Sequence, residues 1–166
     1  MKGIVCAIAL ALAATTCFAG AVAAAEEPTA PRAEYVAQVE PICEANTLAN
    51  KRILENVRVK ARSKDPASVR EAGGQFVHAA VAFGATVSKI AAVPPPADDE
   101  ARLHRWIERL RVVQANLRHL GKALQRLQRI KAAHEAIRVE RSGNAANNIG
   151  FVFGFRYCRI SPSRFT

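Results

Sequence analysis

Leu103, Trp106, Leu110, Val113, Leu117, Leu120, Leu124 and Leu127 recur at alternating steps of three and four residues. A repeat of three and a half residues keeps an apolar stripe on one side of a left-handed supercoil, the signature of packing in a helix bundle or coiled coil. The stretch in front, "ADDEARLHRW", sets acids in the first turn, where the helix dipole favours them. An isolated coiled coil would cover this one helix. Three more apolar-striped segments in the chain also need cover, so the expected fold is all-α: an up-and-down four-helix bundle with short connections and antiparallel neighbours.

The first of those segments is expected over about 33–62. Its seam is Tyr35, Val39, Ile42, Ala49, Ile53 and Val57, and Pro41 inside it predicts a kink or a fresh start. The second opens at "SKDPAS", with Asp65 as N-cap and Pro66 at the first helical position. Its seam is Val69, Ala72, Phe76, Ala80, Phe83, Val87 and Ile90, and "VPPPA" ends it. The glycines at 73, 74 and 84 either weaken this helix or let a neighbour approach closely. The heptad fails after Leu127, because its next positions fall on Lys131 and His134. A turn near residue 129 is expected there, with one long bent helix as the alternative. Ile130, Ala133, Ile137, Ala145, Ile149 and Val152 then carry the fourth stripe.

The N-terminus reads as a signal peptide. Lys2 is followed by an uncharged run from Gly3 to Ala25, and small residues at Ala23 and Ala25 precede "EEPTAP". Cleavage is expected near Ala25, with an uncleaved anchor and a lipidated Cys17 as alternatives. The expected division is 1–25 signal peptide, 26–32 linker, 33–158 helical domain and 159–166 tail. Cleavage would remove Lys2 and no acid from a chain of net charge +10. A cationic exported protein can attract anionic envelope polymers or lipid headgroups, but a solvated basic surface is the preferred reading of the charge.

Of the four cysteines, Cys6 and Cys17 lie in the expected leader, which leaves Cys43 and Cys158. An even pair in an oxidising compartment reads as a disulfide. A free thiol pair and a metal site are the alternatives, and no further ligands cluster nearby in sequence.

Toward the C-terminus, "NNIGFVFGFRYC" concentrates Phe151, Phe153, Phe155 and Tyr157. A membrane span is excluded by length and by Arg156 and Arg159. A strand would have no partner. Asn147 to Phe153 is therefore expected to finish the fourth helix, with Gly154 as a left-handed C-cap and "FRYC" folding back as an aromatic plug on the bundle end. A ligand-lining aromatic pocket is the alternative.

"YVAQVEPICEANTLANKRIL", "AAVPPPADDEARLHRWIERL" and "NAANNIGFVFGFRYC" together resemble a family of small exported bacterial helical proteins of unassigned biochemical function. The resemblance covers about residues 35–158. It implies a signal-peptide-led helical bundle whose early and late cysteines, Cys43 and Cys158, are joined. It carries over no catalytic residue. "QRLQRIKAAHEAI" departs from the looser joint the family pattern implies, which sets the turn near residue 129 against a continuous helix.

No nucleophile elbow, phosphate loop or paired-carboxylate motif is present. Glu40 and Glu44 flank Cys43 and could form an acid/base pair, but surface acids on a helix have the same spacing. His78, His104, His119 and His134 have no ligand-spaced partner, the sole methionine is Met1, and there is no haem-attachment motif, so neither cofactor nor metal is expected. Two asparagine pairs stand out, Asn46 with Asn50 and Asn144 with Asn148. They read as an interhelical hydrogen-bond ladder or as one wall of a small-ligand pocket between the first and fourth helices. Arg102, Arg105, Arg109, Arg118 and Arg126 mark a basic side of the third helix that could face an anionic partner. Nucleic acid is disfavoured, because the one aromatic there, Trp106, sits in the seam. The functional expectation is a non-enzymatic binding or scaffolding module of the envelope or medium, with a small-ligand carrier as the alternative.

Overall fold

A computed structural model of the chain describes residues 30–161. The expected signal peptide, its cleavage near Ala25, most of the 26–32 linker and the end of the 159–166 tail lie outside the described residues. The described part is all-helical and contains no strand. Its elements are α1 (Ala30–Ile53), α2 (Val57–Arg62), α3 (Pro66–Ala91), α4 (Glu100–Gln125) and α5 (Arg129–Gly150). Short 3-10 turns, Ala97–Asp99 and Phe151–Phe153, precede α4 and follow α5.

The boundaries have local causes. Asp65 caps α3 by accepting from the amides of Ala67 (3.2 Å) and Ser68 (2.9 Å). The Ser68 hydroxyl donates to the same carboxylate, and these bonds hold the Asp65 pKa below its ordinary value. The expected first helix is two helices, and the break is not at Pro41, which α1 runs through. It falls at Leu54–Asn56, where Asn56 takes a left-handed φ of 56°. Gln75 of α3 supports this break by donating to the carbonyls of Ile53 (2.8 Å) and Glu55 (3.0 Å), two acceptors that the end of α1 leaves without helical partners. α1 also starts at Ala30, so the last part of the 26–32 linker is helical.

The turn between α4 and α5 occupies residues 126–128, beside its expected place. Gln128 N–H donates to Ala123 O (2.9 Å) and Leu127 N–H to Leu124 O (2.9 Å), the paired bonds of a Schellman motif. Leu127 holds the left-handed position, φ 57°, that glycine usually occupies. Gly154 does the same after α5, with φ 66°.

Burial follows the predicted seams of α3 and α4, and that of the expected first helix at Tyr35, Val39 and Val57, but not the fourth: Ile130, Ala133, Ile137 and Val152 are exposed and Ala145 and Ile149 only half-buried. The face that α5 buries is Ala132, Glu135, Val139, Gly143 and Ala146, rotated from the expected stripe because mostly small residues, not the larger Ile side chains, meet α4. Leu103, Trp106, Leu110, Val113, Leu117, Leu120 and Leu124 are buried, and Leu127 is half-buried at the turn. Tyr35 and Val39 from α1, Val69, Phe76, Val87 and Ile90 from α3, and Val139 from α5 complete the core. Neighbouring helices run antiparallel: Asn46 meets Thr86 and Ile53 meets Gln75 between α1 and α3, while Asn116 meets Ser142 between α4 and α5. At the α3–α4 crossing the backbones nearly touch. A Cβ on Gly73 would lie 2.6 Å from Gly121 O, and one on Gly121 would lie 2.7 Å from Gly73 O. Close approach, rather than a weakened helix, is the role of Gly73.

Packing runs in series, α1 on α3, α3 on α4 and α4 on α5, with α2 also on α3. α1 and α5 are not a closely packed pair. At one end, Arg32 of α1 makes a buried bidentate pair with Asp99, at 2.7 and 3.0 Å, and its guanidinium lies 5.7 Å from the Phe153 ring centre. Toward the middle, the chain after α5 returns to α1. Cys43 is joined to Cys158 across a sequence separation of 115, with the Cα atoms 4.9 Å apart. In the chain-entropy account a loop of that length is worth roughly 4–5 kcal/mol.

Candidate functional site

The unclosed edge between α1 and α5 is a cleft of about 840 Å³. One stripe of α1 forms a wall: Cys43, Asn46, Thr47, Asn50 and Lys51, at the three-and-four spacing of a single helix face, with Leu54 just past the helix end. Ala79, Phe83, Thr86 and Ile90 of α3 and Leu110, Val113 and Leu117 of α4 form the floor. Asn147 of α5 and residues 156–161 close the opposite side. The floor is mostly apolar and its side chains are buried beneath the cleft: Leu110, Val113 and Leu117 are 2%, 1% and 4% exposed. The upper wall is polar.

The return segment, here called the strap, is pinned at several points. The Glu40 carboxylate accepts from the backbone amides of Arg156 (2.6 Å) and Tyr157 (3.0 Å). The disulfide holds Cys158. Asn147 acts as a backbone mimic for Ile160: its amide nitrogen donates to Ile160 O (2.7 Å) and its oxygen accepts from Ile160 N–H (2.8 Å). Ile160 is thus tied to the domain, which extends past residue 158. Glu40 is a clamp on the strap; nothing in the sequence signals this, because the role exists only once the disulfide brings the strap across α1. Glu44 is half-buried on the same helix.

The asparagines divide. Asn50 Nδ2 donates to Asn46 Oδ1 (2.9 Å), and the Thr86 hydroxyl lies 3.2 Å from the same oxygen, linking α1 to α3. The ladder therefore spans the first two long helices. Asn144 and Asn148 are exposed on α5 and do not join it. The α5 asparagine at the cleft is Asn147, one residue from the expected one, because the helix rotates about 100° per residue. Asn50 Oδ1 is buried at the cleft wall with no hydrogen-bond partner. A buried acceptor left in that state costs about 1–3 kcal/mol, so the site is completed by a donor from an occupant or from water.

The aromatic run also divides. Phe153 and Phe155 are buried; Phe155 stacks on Trp106 with ring centres 4.8 Å apart and on Phe153 at 5.5 Å. Gly150 makes room for this plug, since a Cβ there would lie 3.0 Å from Trp106 Nε1. Phe151 is 73% exposed and takes no part. Tyr157 is half-buried at the cleft, beneath the Arg156 guanidinium at 5.2 Å.

Arg102, Arg105, Arg109, Arg118 and Arg126 are all exposed. At 100° per residue, Arg102, Arg105 and Arg109 fall on one flank of the buried seam, Arg118 on the other, and Arg126 ends the helix, so the fold does not gather them into one patch. Arg102 also lies 4.0 Å from Asp99, and Arg111 pairs with Glu108. The four histidines are exposed, and among the described residues no three or more His, Cys, Asp or Glu side chains group as metal ligands. No helix among the described residues is long and apolar enough to cross a membrane.

Comparison with protein-family models, curated proteins and solved structures finds no match to this chain.

Proposed function

We propose that this chain is a non-enzymatic binding module that carries a small molecule in the cleft between α1, α5 and the strap. The carrying observation is the cleft itself: about 840 Å³ with an apolar floor, a polar wall and an acceptor on Asn50 that lacks a partner. Small-molecule sites occupy roughly 300–1,000 Å³ and combine apolar lining with a few directed polar groups. The four long helices act, in this reading, as an up-and-down bundle left open along one edge, and the opening is the site. Export after cleavage near Ala25 fits a fold stapled by one disulfide. It also fits the resemblance to small exported bacterial proteins.

The test is a titration with the neutral fluorophore N-phenyl-1-naphthylamine. Saturable binding at one site is expected, and Asn50→Trp, which fills the cleft from its wall, abolishes it. Absent binding, or equal binding by the filled variant, overturns the reading.

A further inference from the structure

The charges around the cleft all have one sign. Lys51 stands on the α1 wall, and Arg156 and Arg159 stand on the strap opposite; the lining contains no Asp or Glu. Elsewhere on the molecule some cations stand beside acids: Arg32 and Arg102 with Asp99, Lys60 with Glu71, Arg111 with Glu108 and Arg138 with Glu135. Lys51 and Arg159, both exposed, make no ion pair among the described residues. The acids of this part of the chain are placed otherwise, and Glu44, half-buried on α1, is not in the lining. Glu40 spends its carboxylate on the Arg156 and Tyr157 amides, and Glu55, in the break after α1, lies beside Lys51 and Arg52 outside the cleft lining. The Arg156 guanidinium lies over the Tyr157 ring. The cleft thus has an apolar floor at its base and unopposed cations at its mouth.

We infer that the occupant is a single-chain amphiphile with an anionic head. Its acyl chain lies in the cleft against the half-buried Leu54, Tyr157 and Ile160, above the buried floor, and its carboxylate or phosphate sits at the mouth between Lys51 and Arg159. Charge-assisted hydrogen bonds to ammonium and guanidinium groups are shorter and stronger than neutral ones, so the head is recognised by charge and the chain by apolar area. A neutral amphiphile of the same length keeps the second term and loses the first. This inference rests on the cleft being a binding site, and the experiment separates the two.

Delipidated protein is loaded with N-phenyl-1-naphthylamine at low salt, and the probe is displaced by myristate, by 1-myristoyl lysophosphatidate or by tetradecanol, each below its micelle threshold. Myristate or the lysophosphatidate is expected to displace at about tenfold lower concentration than tetradecanol, the fold-change of one additional charge-assisted contact. Whichever of the two is tighter identifies the source of the anion as a free acid or a lipid headgroup. In the double variant Lys51→Met, Arg159→Met the advantage over tetradecanol is lost while tetradecanol displaces as before. Both side chains are exposed, and unchanged circular dichroism checks the fold. Equal displacement by tetradecanol in the parent protein, or an anionic advantage that survives the double variant, overturns the anionic inference and leaves the carrier reading standing. Failure of the probe to bind at all overturns both.

Discussion

The two sides of this molecule are held by different physics. The α3–α4 side is held by shape: a heptad of buried side chains, and two backbones brought so near at Gly73 and Gly121 that neither glycine can gain a methyl group without displacing the other chain. The α1–α5 side is held by discrete ties instead: one disulfide, one carboxylate accepting two amides, and one asparagine pairing with Ile160. Close packing leaves no room between helices. Point ties hold two elements in position without filling the space between them. The cleft therefore lies where the ties are, and the rigid half serves as its floor.

That contrast can be broken most directly at the staple. Cys158→Ser is expected to destabilise by about 2–5 kcal/mol under non-reducing conditions and to lower Tm by roughly 10 °C. Probe binding in the cleft is expected to weaken with it, and equal melting of parent and variant would count against a structural bridge. On the opposite side, Gly73→Val is expected to cost about 1–3 kcal/mol by overpacking against Gly121 and Gln125. Where it folds, its cleft affinity should match the parent's; a parallel loss of binding would mean the two sides are not independent. Glu40→Gln keeps the size of the clamp but removes its charge, and is expected to cost about 1–2 kcal/mol. Its signature is faster hydrogen exchange at the Arg156 and Tyr157 amides, with α3 and α4 protection unchanged.

The smallest effect is reserved for alkaline pH. Tyr35 is buried with an unpartnered hydroxyl, and burial pushes its pKa from 10.0 up to about 12. The folded state therefore favours the neutral phenol. Its contribution is complete below pH 10 and is lost between pH 10 and about 12, as the unfolded chain ionises first. Tyr35→Phe should flatten that limb in a urea titration repeated across this range and leave stability at pH 7 unchanged or slightly higher. An identical alkaline slope in the variant would assign the loss to other groups.

What was legible in the sequence is the longest regular repeat and what acts locally; the short, irregular stripe of the fourth helix misplaces the buried face of α5. The Leu seam, the Asp65–Pro66 start, the Gly154 cap and the pairing of Cys43 with Cys158 all stand in the fold as read. The misplaced features depend on neighbours that no window reveals. α1 passes Pro41, which is exposed, because Val39 and Cys43 on either side are held in the core; it breaks at Asn56 because Gln75, from another helix, receives the freed carbonyls. Leu127 takes a glycine conformation because the Schellman bonds and a half-buried side chain outweigh its strain. The asparagine spacing suggests a ladder between the first and fourth helices first and a pocket there only as the alternative; the ladder joins α1 to α3 instead, the α5 asparagine at the cleft is Asn147, and the spacing gives no hint of the cations at its rim. The last two depend on where the strap comes to rest, and a segment without periodicity carries no such mark.

The stack of Phe155 on Trp106 has a practical corollary. Trp106 is the chain's single tryptophan, it is 1% exposed, and its ring partner belongs to the strap just before Cys158. Intrinsic emission at one wavelength therefore reports on the latch without any label. A mixture of latched and unlatched molecules could be counted by lifetime, in the presence of whatever the protein has picked up.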